Sequence, residues 1–159
     1  MAAPKKNLSP NFTYASMIRS NAADRLKLDN TPDSNSLKNL IELCKTILEP
    51  IRKAVDDNPI TVSSGYRSPR VNTAIGGVTT SAHCHGLAAD ITCPRFGEPK
   101  VFAQFVANFL KENKIPFDQV IYEHIGNAKW VHVGLRHPNG KQRGQVLTIK
   151  GGNTLVGIV

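Results

Sequence analysis

The densest gathering of chemistry-bearing side chains in this 159-residue chain is one ten-residue window, Ser81-Ala-His-Cys-His-Gly-Leu-Ala-Ala-Asp90. Two histidines precede a glycine, and an aspartate lies in the short extended run that follows. Alternate side chains of a strand share a face, so Ala88 and Asp90 point the same way. The small Ala88 leaves room beside the carboxylate, and Gly86 lets the backbone turn so that His83 folds back toward it. An imidazole and a carboxylate brought together in this way are the kinds of ligand that zinc takes.

A third donor is expected from a hairpin later in the chain. With Gly126-Asn127 as its turn, glycine at the first central position suits a type II′ connection. Ile125 then faces Ala128, Glu123 faces Trp130, and Ile121 faces His132. Glu123 and His132 become diagonal neighbours on one face, with backbones roughly 7–8 Å apart. Val131, Val133 and Leu135 form the opposite, buried face; a one-residue slip would separate the pair. His83, Asp90 and His132 are thus three candidate ligands, leaving the fourth position of a tetrahedral zinc open, as in catalytic rather than structural sites. Such a metal lowers the pKa of bound water and polarises a carbonyl, while Glu123 accepts the proton.

The elements that must position these residues can be read from periodicity. Leu37, Leu40, Ile41, Cys44, Ile47, Leu48 and Ile51 recur at steps of three and four, one apolar face of a helix. Asp33, Ser34 or Ser36 could cap it, and Pro50 should kink or restart it. A short helix is expected within 13–20, a brief helical piece over Pro69–Ile75, and a second amphipathic helix through Val101, Phe102, Phe105, Val106, Phe109 and Leu110. Extended runs are expected at Ile60–Ser64, Leu87–Thr92, Gln119–His124 and Trp130–Leu135. A last hairpin joins Gln145–Lys150 to Thr154–Val159. Helices first and strands late predict one α+β domain over 1–159, with helices packed on a mainly antiparallel sheet and residues 1–10 as a flexible arm.

Composition limits the function classes. Hydrophobic residues at 40% and charged residues at 20% make an ordinary globular mixture and exclude wholesale disorder. No apolar run approaches the ~20 residues that span a bilayer. The basic start, Met1 to Asn7, is followed by no signal-peptide apolar region, so synthesis in the cytoplasm is expected. A net charge of +8 suits an anionic partner such as an envelope polymer. Nucleic acid is not expected, because recognisable binding motifs and aromatic–basic alternation are absent. Three cysteines without paired spacing argue against a disulfide framework. Cys44, Cys84 and Cys93 read as core packing, and His85, His124 and His137 as exposed loop or surface residues. A monomer is expected.

At this point the chain resembles a family. Ser81-Ala-His83-Cys-His-Gly86-Leu-Ala88-Ala-Asp90 matches the Ser-x-His-x-x-Gly-x-Ala-x-Asp signature of zinc peptidases that act on bacterial cell-wall stem peptides. These include D-alanyl-D-alanine carboxypeptidases and phage L-alanyl-D-glutamate endopeptidases. Ser64-Gly-Tyr-Arg67-Ser-Pro-Arg-Val-Asn72 resembles the family's substrate-side motif, and Trp130-Val-His132-Val its last metal motif. The likeness covers most of residues 10–136. It implies one zinc ion on His83, Asp90 and His132, a substrate carboxylate or oxyanion contact from Arg67, and a substrate backbone contact from Ser81. Many members carry an acidic base three residues before the last histidine, where this chain has Lys129. The hedgehog signalling domains share the metal fold and carry a glutamate further upstream. Ile121-Tyr122-Glu123 is similar to that version and assigns the base to Glu123. The implied function is hydrolysis of a peptidoglycan stem-peptide amide, in a phage lysis enzyme or virion component. The rival from the same fold is a non-catalytic zinc-binding module.

Overall fold

A computed structural model describes residues 7–159. Its first elements are a short antiparallel pair, β1 (Asn7–Ser9) and β2 (Phe12–Thr13), then α1 (Tyr14–Ile18) and α2 (Asn21–Leu26). Thr13 and Ser20 cap these helices by accepting the Ser16 and Ala23 N–H groups, each at 3.1 Å. Of the arm expected over 1–10, residues 1–6 lie outside the described residues, whereas Asn7–Ser9 form a strand with Leu8 and Ser9 buried. Helix α2 was not anticipated; Ala23 is its one buried residue, so no apolar stripe announces it.

The stripe from Leu37 to Ile51 behaves as its periodicity predicts at the start. Helix α3 (Ser34–Leu43) begins where the Asp33 carboxylate accepts the Ser36 N–H at 2.7 Å. Leu40, Leu43, Cys44, Ile47, Leu48 and Ile51 are all completely buried. A π-turn over Cys44–Leu48 then leads into α4 (Glu49–Ala54), with Pro50 in its first turn. Proline lacks the N–H of the normal ladder, and its ring crowds the carbonyl four residues back. The wider π-turn makes room for it, and the helix restarts without breaking.

The rest of the chain supplies β3 (Thr61–Ser64), α5 (Pro69–Ala74), a 3₁₀ turn at Ala82–His85, β4 (Ala88–Thr92), α6 (Pro99–Glu112), β5 (Gln119–Ile125), β6 (Ala128–Gly134), β7 (Gln145–Lys150) and β8 (Asn153–Val156). One sheet in the order β3-β4-β6-β5-β7-β8 gathers six of the strands. Every pairing is antiparallel except β5 with β7, so the fold is α+β with a mainly antiparallel sheet. The parallel pair arises because the chain leaves β6, crosses over, and enters on the far side of β5. Val120, Tyr122, Val131, Val133, Ala89 and Ile91 are buried on one sheet face, in the same core as Phe102, Val106 and Leu110 of α6 and Leu40 and Ile47 from the α3–α4 stretch. Among the described residues, no helix is long and apolar enough to cross a membrane.

The hairpin register is the one expected: Ile125 opposite Ala128, Glu123 opposite Trp130, and Ile121 opposite His132. Gly126 has φ +58°. Gly86, between His83 and Asp90, has φ +69°, and a Cβ there would collide with the Ser36 carbonyl oxygen, which is backbone and cannot swing aside. Gly86→Ala is therefore expected to cost about 2 kcal/mol or more. Chemical denaturation measures this, and a variant as stable as the parent would refute the close approach.

Candidate metal centre

Asp90 on β4 and His132 on β6 sit directly opposite one another in the antiparallel register. His132 Nδ1 lies 3.1 Å from Asp90 Oδ1, and His83 Nε2 lies 3.3 Å from the same oxygen. The two imidazoles meet edge to face, with ring centroids 5.2 Å apart. One donor atom from each of the three residues falls within 4.8 Å of the others. His83 is carried by the 3₁₀ turn, which Ser81 caps by accepting the His83 N–H at 3.3 Å. Its Nδ1 lies 2.7 Å from the Gly65 carbonyl oxygen. The ring therefore donates Nδ1–H to that carbonyl and turns an unprotonated Nε2 toward Asp90, the orientation a metal-binding histidine needs. Two imidazole nitrogens and a carboxylate oxygen at this spacing suit one divalent ion, and the tautomer held by Gly65 is the required one.

The electrostatics follow from burial. Burial alone would raise the Asp90 carboxyl, yet His83 and His132 beside it hold it well below the ordinary carboxylate range. Burial alone would lower the His132 imidazole, but its hydrogen bond to Asp90 and the charges of Asp90 and Glu123 raise it. Glu123 is pushed up by burial and by the negative charge of Asp90. His132, the Trp130 indole and His83 work against that rise. The indole N–H of Trp130 has no hydrogen-bond partner of good geometry and lies beside this carboxylate.

Glu123 and His132 share a sheet face, because each lies two residues from a member of the directly opposed pair Ile121–His132 or Glu123–Trp130. Lys129 has the other parity along the regular strand β6, pairs with His124, and is exposed. A side chain at 129 therefore faces away from His132, so in this longer hairpin the position three residues upstream is not one from which a base could act. The three donors, Glu123, Arg67 and Ser81 all line one cleft of about 690 Å³. Arg67 donates its backbone N–H to the His83 carbonyl at 3.1 Å and its Nη1 to Asn72 Oδ1 at 3.0 Å.

His85 is exposed, and Cys84 is buried beside His83 but outside the three-donor group. Burial raises the Cys84 thiol, against the pull of Arg67. Three cleft residues escaped the sequence reading: Asp118, Arg143 and His137. His137 lines the cleft and is half-buried, where a surface position was expected. Asp118 and Arg143 lie 25 residues apart with no motif linking them. The signal that could have found them is the pairing of a buried acid at the start of β5 with a base just before β7.

Comparison with known proteins supplies the family. The sequence pattern described as Peptidase M15 matches residues 10–134. The chain belongs to the peptidase M15 family. A curated relative, the zinc D-Ala-D-Ala carboxypeptidase of Streptomyces albus G, is 36% identical over 83 residues. That stretch is 51% of this M15 chain and 31% of the relative, so the chain spans less than a third of the protein it matches.

The triad sets a pH window for the metal-free protein. Asp90 has a depressed folded pKa, so its contribution is present above the ordinary 3.8 and fades as pH falls toward the lowered value. His132 has a raised folded pKa, so its contribution is complete below the ordinary 6.5 and fades as pH rises through the raised value. Chelator-treated protein is expected to gain most from the cluster between about pH 4 and 6.5. Thermal melts against pH measure this: Asp90→Asn should flatten the profile, and an identical profile in the variant would contradict the assignment.

Proposed function

We propose that this M15 chain is a zinc peptidase that hydrolyses an amide bond in the peptidoglycan stem peptide. The observation that carries the reading is the placement of Glu123, an acid in no salt bridge among the described residues, diagonal to His132 and lining the same cleft. Family membership and the named activity of the Streptomyces relative support the same chemistry. Zinc is the metal, with His83, Asp90 and His132 as its ligands. Bound there, it supplies Lewis-acid polarisation of the scissile carbonyl and a lowered pKa for water.

The protein's own residues carry out the remaining steps. Glu123 accepts a proton from the attacking water, and its raised pKa brings it closer to neutral pH, where a general base works best. The same carboxyl then gives the proton to the departing amine nitrogen as the C–N bond breaks. Arg67 makes no ion pair with any carboxylate among the described residues and is bonded to Asn72 and Ser64, both neutral. Its charge is therefore free for a substrate carboxylate or a developing oxyanion. Ser81 spends its oxygen lone pair on the turn that carries His83, which leaves its O–H for the substrate backbone. The setting consistent with the phage endopeptidases among the resembled proteins is a phage lysis enzyme or virion component.

Digestion of purified peptidoglycan by the zinc-loaded protein, with products read by mass spectrometry, tests the reading and distinguishes carboxypeptidase from endopeptidase. New peptide termini that vanish with chelator are expected. Glu123→Gln should keep its zinc while hydrolysis falls about 10²–10⁴-fold, and His132→Ala should lose the metal itself. Intact peptidoglycan beside a zinc-saturated protein would favour the non-catalytic module instead.

A further inference from the structure

Part of the cleft lining comes from the connection between β6 and β7, residues 135–144, beyond the stretch matched by the family pattern. This connection is exposed for much of its length, yet it is tied down at almost every residue. The His137 N–H donates to the Lys141 carbonyl at 2.8 Å and the Gly140 N–H to the His137 carbonyl at 2.7 Å. Lys141 N–H donates to Asn139 Oδ1 at 2.9 Å, and Gln142 Nε2 to the Leu135 carbonyl at 2.9 Å. At its far end Arg143 grips the buried carboxylate of Asp118 through Nε and Nη2, both at 2.8 Å, and through its backbone N–H at 3.1 Å. A surface connection needs no such order merely to link two strands; a wall that must present one group to a ligand does.

The group it presents is the His137 ring. The Asn139 N–H donates to His137 Nδ1 at 3.0 Å. Nδ1 is therefore the acceptor nitrogen, and the neutral ring carries its proton on Nε2. Among the described residues no protein oxygen takes that Nε2–H, although the residue lines the cleft. We propose that His137 is a specificity-determining residue of this peptidase, its Nε2–H donating to an sp² oxygen of the bound peptide, with the Asp118–Arg143 pair as the anchor that fixes the wall. The proposal rests on the peptidase reading above. The oxygen belongs either to an internal amide carbonyl or to a terminal carboxylate, and both accept the same hydrogen bond.

Three substitutions separate this role from a merely structural one. His137→Ala removes both nitrogens. His137→Asn places an acceptor near the Asn139 N–H and cannot reach into the cleft, whereas His137→Gln places an amide N–H where Nε2 stood and gives up the turn. Kinetics are measured on a stem pentapeptide as free acid and as C-terminal amide, with calorimetric titration of the same peptides into each variant. Loss of one hydrogen bond predicts a KM about tenfold higher for Ala and Asn, with the loss in KM rather than in kcat, and recovery in Gln to within about threefold. An effect confined to the free acid identifies the carboxylate, and an equal effect on both peptides identifies the internal carbonyl; either supports the proposal. Cleavage with unchanged KM in all three variants, or rescue by Asn and not by Gln, overturns it while leaving the peptidase reading intact. If the parent cleaves neither peptide, the peptidase reading fails, and the titrations decide alone: tenfold weaker binding in Ala and Asn sustains the contact, and equal or absent binding overturns it.

Discussion

The direct opposition of Asp90 and His132 across two antiparallel strands is the constraint on which the site depends. It is not chosen by the polar residues themselves. Their neighbours Ala89, Ile91, Val131 and Val133 are all completely buried and pair across the same two strands, Ala89 with Val133 and Ile91 with Val131. Sliding either strand by one residue would expel its own apolar pair, Ala89 and Ile91 or Val131 and Val133, from the core and turn its donor, Asp90 or His132, inward in their place. Hydrophobic burial therefore sets the geometry of the metal centre, and the donor residues inherit it. His83 joins from outside the sheet, and its freedom is removed separately, by the Gly65 carbonyl on its ring and by the tight passage of Gly86 past Ser36. A carboxylate shared between two imidazoles in a buried place is tolerable because each partner satisfies another.

The parts of this arrangement legible in the sequence are those fixed by local rules. A glycine at the first turn position together with alternation determines the Ile121–His132 and Glu123–Trp130 pairs, because a two-residue turn leaves no other register. The stripe through Leu40, Cys44 and Ile51 is legible for the same reason, since each apolar residue marks the next at helical spacing. What was not legible depends on encounters without a periodic mark. The short helix α2 buries almost nothing, and the π-turn before Pro50 is one of several ways a helix can accommodate a proline. The insertion of β7 beside β5, the one parallel pairing in a mainly antiparallel sheet, is decided by where the 135–144 crossover lands. His137 read as a surface histidine because nothing nearby in sequence places it in the cleft that His83 and Arg67 line.

With that crossover the cleft lining holds two unlike cations. Arg67 has only neutral side-chain partners among the described residues, so its positive charge is available to a ligand. Elsewhere in the lining, the charge of Arg143 is already answered by Asp118, and the His137 Nδ1 is taken by the Asn139 N–H. On the proposed reading, a bound peptide meets the unpaired charge of Arg67 and, separately, the imidazole N–H of His137. Such asymmetry favours one direction of the chain over its reverse, because charged contacts are worth roughly twice neutral ones.

The same contrast separates the two acids of the cleft that lie outside the donor triad. Asp118 and Glu123 sit near opposite ends of the β5 stretch, and both are candidates for proton transfer on chemistry alone. Burial would raise Asp118, but the Arg143 fork and backbone hold it below the ordinary carboxylate range, so it stays ionised and committed. Glu123 is held by no arginine; burial and the Asp90 charge raise it, outweighing His132, the Trp130 indole and His83. Two carboxyls whose surroundings drive their proton affinities apart are suited to different tasks. On the proposed mechanism, Asp118 holds the 135–144 connection and Glu123 exchanges the proton.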